Sequence, residues 1–348
     1  VVADRLVDDL IALAQTPAPT GAEEPRIAWL EHRLATAPGT LHRDAAGNLV
    51  WRIGDGRPAV ALLAHVDTVF GADADLRVRE EDGWLHGAGI GDNAAAVAVA
   101  VTVVEALAAE LTRPLVVVFT VGEEGLGNLR GALHACRELQ PEQAIALEGH
   151  GLEEVCVDAV GSVRALLRVR GPGGHSWWDR GRPSALHTLV SLLTVLLAEG
   201  SAEAPLNIGR VTGGGAINAI AAEAEATIEA RSLDERALDA FAQSLADLRL
   251  PAPLELEIEP LGRRPAGRLD RDHPLLAAVR AARAEVGLPD VLGDGSTDAN
   301  AALAHGIPAL SIGCARGHDM HAASERIEGA SLALGVAQLE GTLRRLLV

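Results

Sequence analysis

The sequence predicts an α/β protein: a doubly wound, mainly parallel sheet domain interrupted by an inserted α+β domain. Three observations carry this. Short apolar runs alternate with helical stretches through the first half. Residues 115–121, LVVVFTV, form a β-branched run suited to a strand buried on both faces. The alternating style lapses after about residue 157 and returns near residue 272.

In order along the chain, residues 1–15 alternate acids with apolar residues as an amphipathic helix does, and residues 60–63 are a short strand ending at Ala64-His65-Val66-Asp67. Residues 93–109, rich in Ala and Val, predict a buried helix; 129–138 predict another, and 143–147 a strand. Next comes a unit of strand, helix, two strands, helix and strand, at residues 162–169, 184–197, 206–211, 222–231, 233–248 and 254–258, best accommodated by a small antiparallel sheet. Helices at 274–286, 300–305 and 330–347 and a strand at 309–312 then resume the first style. The expected division is residues 1–157 with 265–348 as one domain and 158–264 as the insertion.

With 348 residues, 48% of them hydrophobic, the chain is long enough for two cores. The net charge of −18 and the lack of any Lys/Arg-rich run argue against nucleic acid and anionic membrane surfaces as partners. Cys136, Cys156 and Cys314 are widely spaced, which argues against a disulfide framework and for a reducing, cytoplasmic setting. The first 15 residues lack the basic start and apolar centre of a signal peptide. Apolar stretches such as residues 94–104 read as too short or too interrupted to span a bilayer.

Four clusters carry candidate chemistry, each beside an expected strand end, where open α/β sheets place their ligands. In Ala64-His65-Val66-Asp67-Thr68, His65 and Asp67 point the same way if the segment is extended. An imidazole is a good zinc ligand and a neighbouring carboxylate can orient it. In Gly87-Ala88-Gly89-Ile90-Gly91-Asp92-Asn93, Asp92 is either a helix N-cap or a metal ligand, and the glycine spacing is not that of a dinucleotide loop. Glu123 and Glu124 follow the buried strand directly. They are either a solvated turn or a ligand and a general base beside a cation. Glu148 ends the next strand, and His318 and His321 lie in Gly317-His318-Asp319-Met320-His321-Ala322-Ala323-Ser324-Glu325.

Taken in order, HxD, GxGxGD, EE, E and HxxxE resemble the M20 family of metallopeptidases and related amidohydrolases, and the resemblance runs from Asn48-Leu49 to Glu325-Arg326-Ile327. It implies two zinc ions per chain, with cobalt or manganese as substitutes, sharing a bridging carboxylate and a bridging water. Asp92 would be that carboxylate. His65 and Glu148 would complete one site, Glu124 and His321 the other. Glu123 would be the general base and Asp67 would orient His65. His321 is preferred to His318 because it starts the HxxxE pattern. The inserted domain would be a lid through which the chain dimerises. Gly171-Pro172-Gly173-Gly174-His175-Ser176 resembles the lid-histidine motif, whose histidine stabilises the oxyanion in the partner's active site. Asn218 and Arg231 match the lid residues that hold the substrate.

The sequence departs from the family at Asn93-Ala94-Ala95, where relatives carry Asp or Lys and then Gly, and at Ala221, where Pro is frequent. Trp177-Trp178 is unusual in a chain with 2% aromatics and reads either as an apolar substrate wall or as lid-interface packing. The expected reaction is hydrolysis of a peptide bond in short peptides, with an N-acyl-amino-acid amidohydrolase as the close alternative. A non-catalytic protein on the same scaffold should have lost ligands or the base, and here all are present.

Overall fold

Strands Val60–His65 and Leu115–Thr120, buried along their whole length, lie side by side in parallel register, Val60 against Leu115 and His65 against Thr120. The computed structural model describes residues 2–200 and 203–348. The chain divides into two units, Val1–Ala159 with Arg268–Val348, and Val160–Gly267.

In the first unit, successive side chains of the central strands feed opposite cores. Leu62, Val117 and Phe119 pack with helices Ala96–Leu107 and Leu332–Leu347, whereas Leu63, Val116 and Val118 pack with Arg130–Leu139 and Ala299–Ala304. Helices on both faces explain the absence of polar alternation in these strands. The sheet order is Thr40–Arg43, Leu49–Ile53, Leu115–Thr120, Val60–His65, Ala144–Glu148, Ala309–Gly313, Glu154–Ala159, Gly267–Arg268, with Val291–Gly295 paired to Glu154–Ala159. The four strands from Leu115–Thr120 to Ala309–Gly313 are mutually parallel. Their C-terminal ends therefore deliver His65, the segment after Thr120, and Glu148 to one edge.

Two expectations need correction. The helix expected at residues 93–109 opens with an irregular turn, Ile90–Ala95, in which Asp92 and Asn93 leave helical geometry; the regular helix starts at Ala96 without a side-chain cap. The stretch Ile90–Leu107 is, by length and composition, long and apolar enough to cross a membrane, contrary to the reading of residues 94–104; it is 83% buried and serves as a core helix. Helix Glu24–Leu34 was not anticipated. Neither was a small sheet ordered Gly317–His318, Arg326–Glu328, Trp84–His86, Arg79–Glu81, whose members are distant in sequence.

The second unit has an antiparallel sheet ordered Leu206–Gly213, Glu223–Ser232, Gly161–Arg170, Glu255–Arg264. Ala224, Ala226 and Ile228 pack with Leu189 and Leu193 of helix Ala185–Glu199 and Leu245 of helix Glu235–Asp247. Between them, Glu223 and Glu225 lie within ion-pair distance of Arg168. This is the alternation of a sheet with only one face covered by helices. A separate two-stranded ribbon pairs His175 with Ala219.

Candidate metal centre

His65 ends its strand with the imidazole 2% exposed. Nδ1 faces the Asp67 carbonyl oxygen at 3.1 Å and the Asp67 carboxylate at 3.7 Å. A carbonyl only accepts, so Nδ1 carries a proton and Nε2 is the nitrogen that could hold a metal. Nε2 is turned to Asp92 Oδ1 at 3.0 Å and Glu148 Oε2 at 3.7 Å. The Asp67 carboxylate, within ion-pair distance of His65 Nδ1, also supports the turn that follows Thr120. It accepts from the backbone amides of Glu123 and Glu124 at 3.0 and 2.9 Å and from the Thr20 hydroxyl at 2.9 Å. One buried acid thus shapes the turn that presents both glutamates.

Asp92 does not cap its helix. Its two oxygens face two imidazoles, Oδ1 that of His65 at 3.0 Å and Oδ2 that of His321 at 2.8 Å. Burial opposes its ionisation, but the hydrogen bonds from His321 and His65 outweigh burial and hold its carboxyl well below the usual range. The glycine-rich segment before it is organised by Glu325. That side chain is fully buried and accepts from the amides of Gly89, Gly91 and Asp92 at 2.8, 3.0 and 2.8 Å. His150 Nε2 lies 2.8 Å from the same carboxylate. A side chain on Gly91 would collide with the His150 ring, which is why the backbone there must be bare.

Glu124 Oε1 lies 3.0 Å from His321 Nε2. Among the described residues, three donor groups each have their ligand atoms within 4.8 Å of one another: His65, Asp92 and Glu148; His65, Glu123 and Glu124; and Asp92, Glu124 and His321. Imidazole nitrogens and carboxylate oxygens at this spacing suit divalent ions such as zinc or manganese, so the donor set fits. Burial pushes the Glu148 carboxyl up, and it works against charge on His65, whose acidic neighbours nonetheless raise it well above its ordinary value.

His321 is pushed up to about 10 by its hydrogen bonds to Asp92 and Glu124. In the metal-free protein its contribution to folding is therefore complete below its ordinary value of 6.5 and is lost as pH rises through about 10. A metal must displace that proton, so affinity should rise with pH across this window and binding should release protons. Calorimetry in two buffers of different ionisation enthalpy measures this; metal binding at pH 7 without proton release would contradict it.

His321 is the exposed member, at 49%, and its backbone is left-handed, with φ 66°, as is that of Asp319, with φ 61°. Such geometry in a non-glycine residue costs about 1–3 kcal/mol and must be held by its surroundings. Arg326 donates to Asp319 at 2.7 Å and lies 5.7 Å from the Trp84 ring centroid, while Trp84 lies 5.4 Å from the His318 ring. His318 therefore helps pack the loop that carries His321. Arg326→Ala should weaken one of two bound metals about 10–100-fold and spare the other, as read by chelator competition. An equal loss of both would show that the clamp does not act through His321.

Sequence reasoning missed other supports. Arg26 is fully buried and donates to the carbonyls of Val66 and Thr16 at 2.8 and 3.0 Å; burial lowers its pKa to about 10 against the opposing charges of Asp67 and Asp92. Asp298, pushed up to about 6 by burial, accepts from the Thr120 hydroxyl at 2.5 Å. Asp298 lies in Ser296-Thr297-Asp298-Ala299, a segment that resembles the family's C-terminal region but carries no assigned role, and no local pattern marks Arg26.

His175, Asn218 and Arg231 belong to the other unit. His175 and Asn218 meet on the ribbon, where the Ser176 amide donates to the Asn218 carbonyl at 2.9 Å. Arg231 is at the far end of Glu223–Ser232, roughly 27 Å along the strand from the end nearest the ribbon at ~3.4 Å per residue. There it pairs with Glu229 at 3.0 Å.

The family model described as Peptidase family M20/M25/M40 matches residues 61–345. The chain belongs to this family. It is accordingly a hydrolase of amide or peptide bonds. The [LysW]-lysine hydrolase of Deinococcus radiodurans is 29% identical, the match covering 95% of this chain and 94% of that protein. The succinyl-diaminopimelate desuccinylase of Rhodopseudomonas palustris is 28% identical, covering 96% of each. A tripeptidase from Staphylococcus aureus has the same fold, with a TM-score of 0.84 at 22% identity over 99% of this chain and 98% of that one. This M20 chain thus has full-length relatives named for acyl or amino-acid release and a structural neighbour named for peptide cleavage.

Proposed function

We propose that this M20 hydrolase is metal-dependent and cleaves a peptide bond in short peptides, with Glu123 as general base. The observation that carries the reading is the Asp92 carboxylate, one oxygen on each of two histidines, with Glu123 and Glu124 presented beside it. His65, Asp92 and Glu148 would hold one ion and Asp92, Glu124 and His321 the other, zinc by preference and cobalt or manganese as substitutes. When bound, such a pair lowers the pKa of a shared water and polarises the scissile carbonyl. Glu123 takes the water's proton on its carboxylate and delivers it to the leaving nitrogen. Asp67 keeps Glu123 and Glu124 in register for these separate tasks through the paired amide bonds.

In the smaller unit, His175 would donate to the developing oxyanion, and Asn218 and Arg231 would hold the substrate's carbonyl or carboxylate. His175 lies on the separate ribbon, whereas Arg231 lies at the far end of the sheet strand Glu223–Ser232. This supports a homodimer through the lid, in which each site draws on both chains. Cys136, Cys156 and Cys314 are all free, in keeping with a reducing compartment. Release of an N-acyl group from an amino acid uses the same chemistry. The acyl-releasing relatives that match along their full length favour it as the second reading.

Elemental analysis combined with a hydrolysis screen on the same preparation tests the proposal, using di- and tripeptides alongside N-acetyl and N-succinyl amino acids. About two metals per chain and turnover of one substrate class support it and select between the readings. A protein that takes up no metal after zinc addition and hydrolyses nothing would overturn it.

A further inference from the structure

Trp177 and Trp178 are two of the five tryptophans in the chain, and they are 63% and 77% exposed. Two adjacent large rings left this open make a contiguous apolar patch, a feature associated with interaction sites. The backbone ties them to His175. The amides of Trp177 and Trp178 both donate to His175 Nδ1, at 3.1 and 3.3 Å. Asp179 closes the turn by accepting from the His175 amide at 2.8 Å. With Nδ1 occupied as an acceptor, the neutral ring carries its proton on Nε2 and presents a donor there.

The tryptophan turn is therefore built around the imidazole. The Trp178 ring lies 6.3 Å from the His175 ring, tilted by 39°. Trp177 is partly committed, since the Arg180 guanidinium sits 5.1 Å from its ring centroid and donates to its carbonyl at 3.1 Å. Trp178 is the more open ring. Across the ribbon, Ile217 stands fully exposed beside Asn218.

We propose that Trp178, with Ile217, forms the wall that receives a bulky apolar group of the substrate, so that the enzyme prefers substrates with an aromatic or branched aliphatic residue beside the scissile amide. This rests on the reading of His175 as the donor to the substrate carbonyl. A carbonyl oxygen about 3 Å from Nε2 puts the substituent on the neighbouring carbon within reach of a ring 6.3 Å from the imidazole. Stacking and burial of that substituent discriminate by about 10–100-fold against glycine. Trp178 is thus a specificity residue and takes no part in proton transfer.

The test measures kcat/KM for Phe-Ala against Gly-Ala, and for Phe-Gly against Gly-Gly. It uses the metal-loaded wild type, Trp178→Ala and Trp178→Phe, with the oligomeric state followed by light scattering. The wild type should favour the phenylalanine substrates, Trp178→Ala should reduce that ratio about 10–100-fold, mainly through KM, and Trp178→Phe should restore most of it. An unchanged ratio in Trp178→Ala overturns the proposal. So does a loss that tracks conversion to monomers, which would assign the ring to contact between copies of the chain. Tryptophan emission on titration with Phe-Ala separates this from failure of the underlying reaction. A response absent from Trp178→Phe, in a protein that hydrolyses nothing, retains the wall and rejects the reaction. No hydrolysis and no response rejects both.

Discussion

Glu123→Gln should keep its full complement of metal and lose about 10²–10⁴-fold in kcat. The substitution is nearly isosteric, and the backbone at residue 123 is held by the Asp67 carboxylate at 3.0 Å whatever the side chain. A carboxamide in that place cannot take a proton from water, so the loss should fall on turnover. Glu124→Gln provides the contrast. Its carboxylate faces His321 at 3.0 Å in the second donor group, so its replacement should lower metal content first and activity as a consequence. Saturating-substrate kinetics with metal analysis on the same samples separates the two. A Glu123→Gln enzyme within tenfold of wild type would remove this residue from the role of base.

Glu325→Ala should be the most damaging substitution away from the candidate ligands. Four hydrogen bonds converge on its fully buried carboxylate, three from backbone amides of the Gly89–Asp92 segment and one shared with His150. Alanine would leave three amide donors without an acceptor in a dry environment. Each costs about 1–3 kcal/mol, and because the contacts are coupled the sum falls to about 3–5 kcal/mol. Thermal unfolding of the metal-free variant should move down by roughly 10 °C. Asp92 would lose the anchor on its own amide, so metal content should fall too. Glu325→Gln should lie between, because one of its two oxygens is replaced by a donor. Retention of both metals with unfolding within a degree or two of wild type would show that this carboxylate organises nothing.

The parts of the fold legible in the sequence are those determined by local burial. Val60–His65 and Leu115–Thr120 announce themselves because a strand covered on both faces has no polar side to show. Glu223–Ser232 is equally legible for the opposite reason, since one face is charged. The small sheet that joins Trp84–His86 to Arg326–Glu328 was not legible, because each strand is three residues long and its partner is some 240 positions away. The opening of the Ala96–Leu107 helix was misjudged because composition favours helix from Asn93 onward, whereas the conformation there follows from the bonds of the Gly89–Asp92 amides to Glu325.

The same division runs through the site. From the sequence alone came the donor types and their order: imidazole and carboxylate after each apolar strand, the adjacent Glu123 and Glu124, and the histidine four residues before Glu325. These are properties of short segments, and an acid at the end of a buried strand stands out because it needs a reason to be there. Only the tertiary structure decided how they divide the work. It turned one Asp92 oxygen to each histidine, set the Asp67 carboxylate between His65 and the amides of the glutamate turn, and set Arg26 behind the site. It also wrapped the Trp177-Trp178 amides round His175. The physical reason is that a hydrogen bond between groups tens to hundreds of residues apart leaves no trace in either segment. Its strength depends on distance, direction and the exclusion of water, and the chain acquires all three only when the sheet, the glycine-rich turn and the His321 loop pack together.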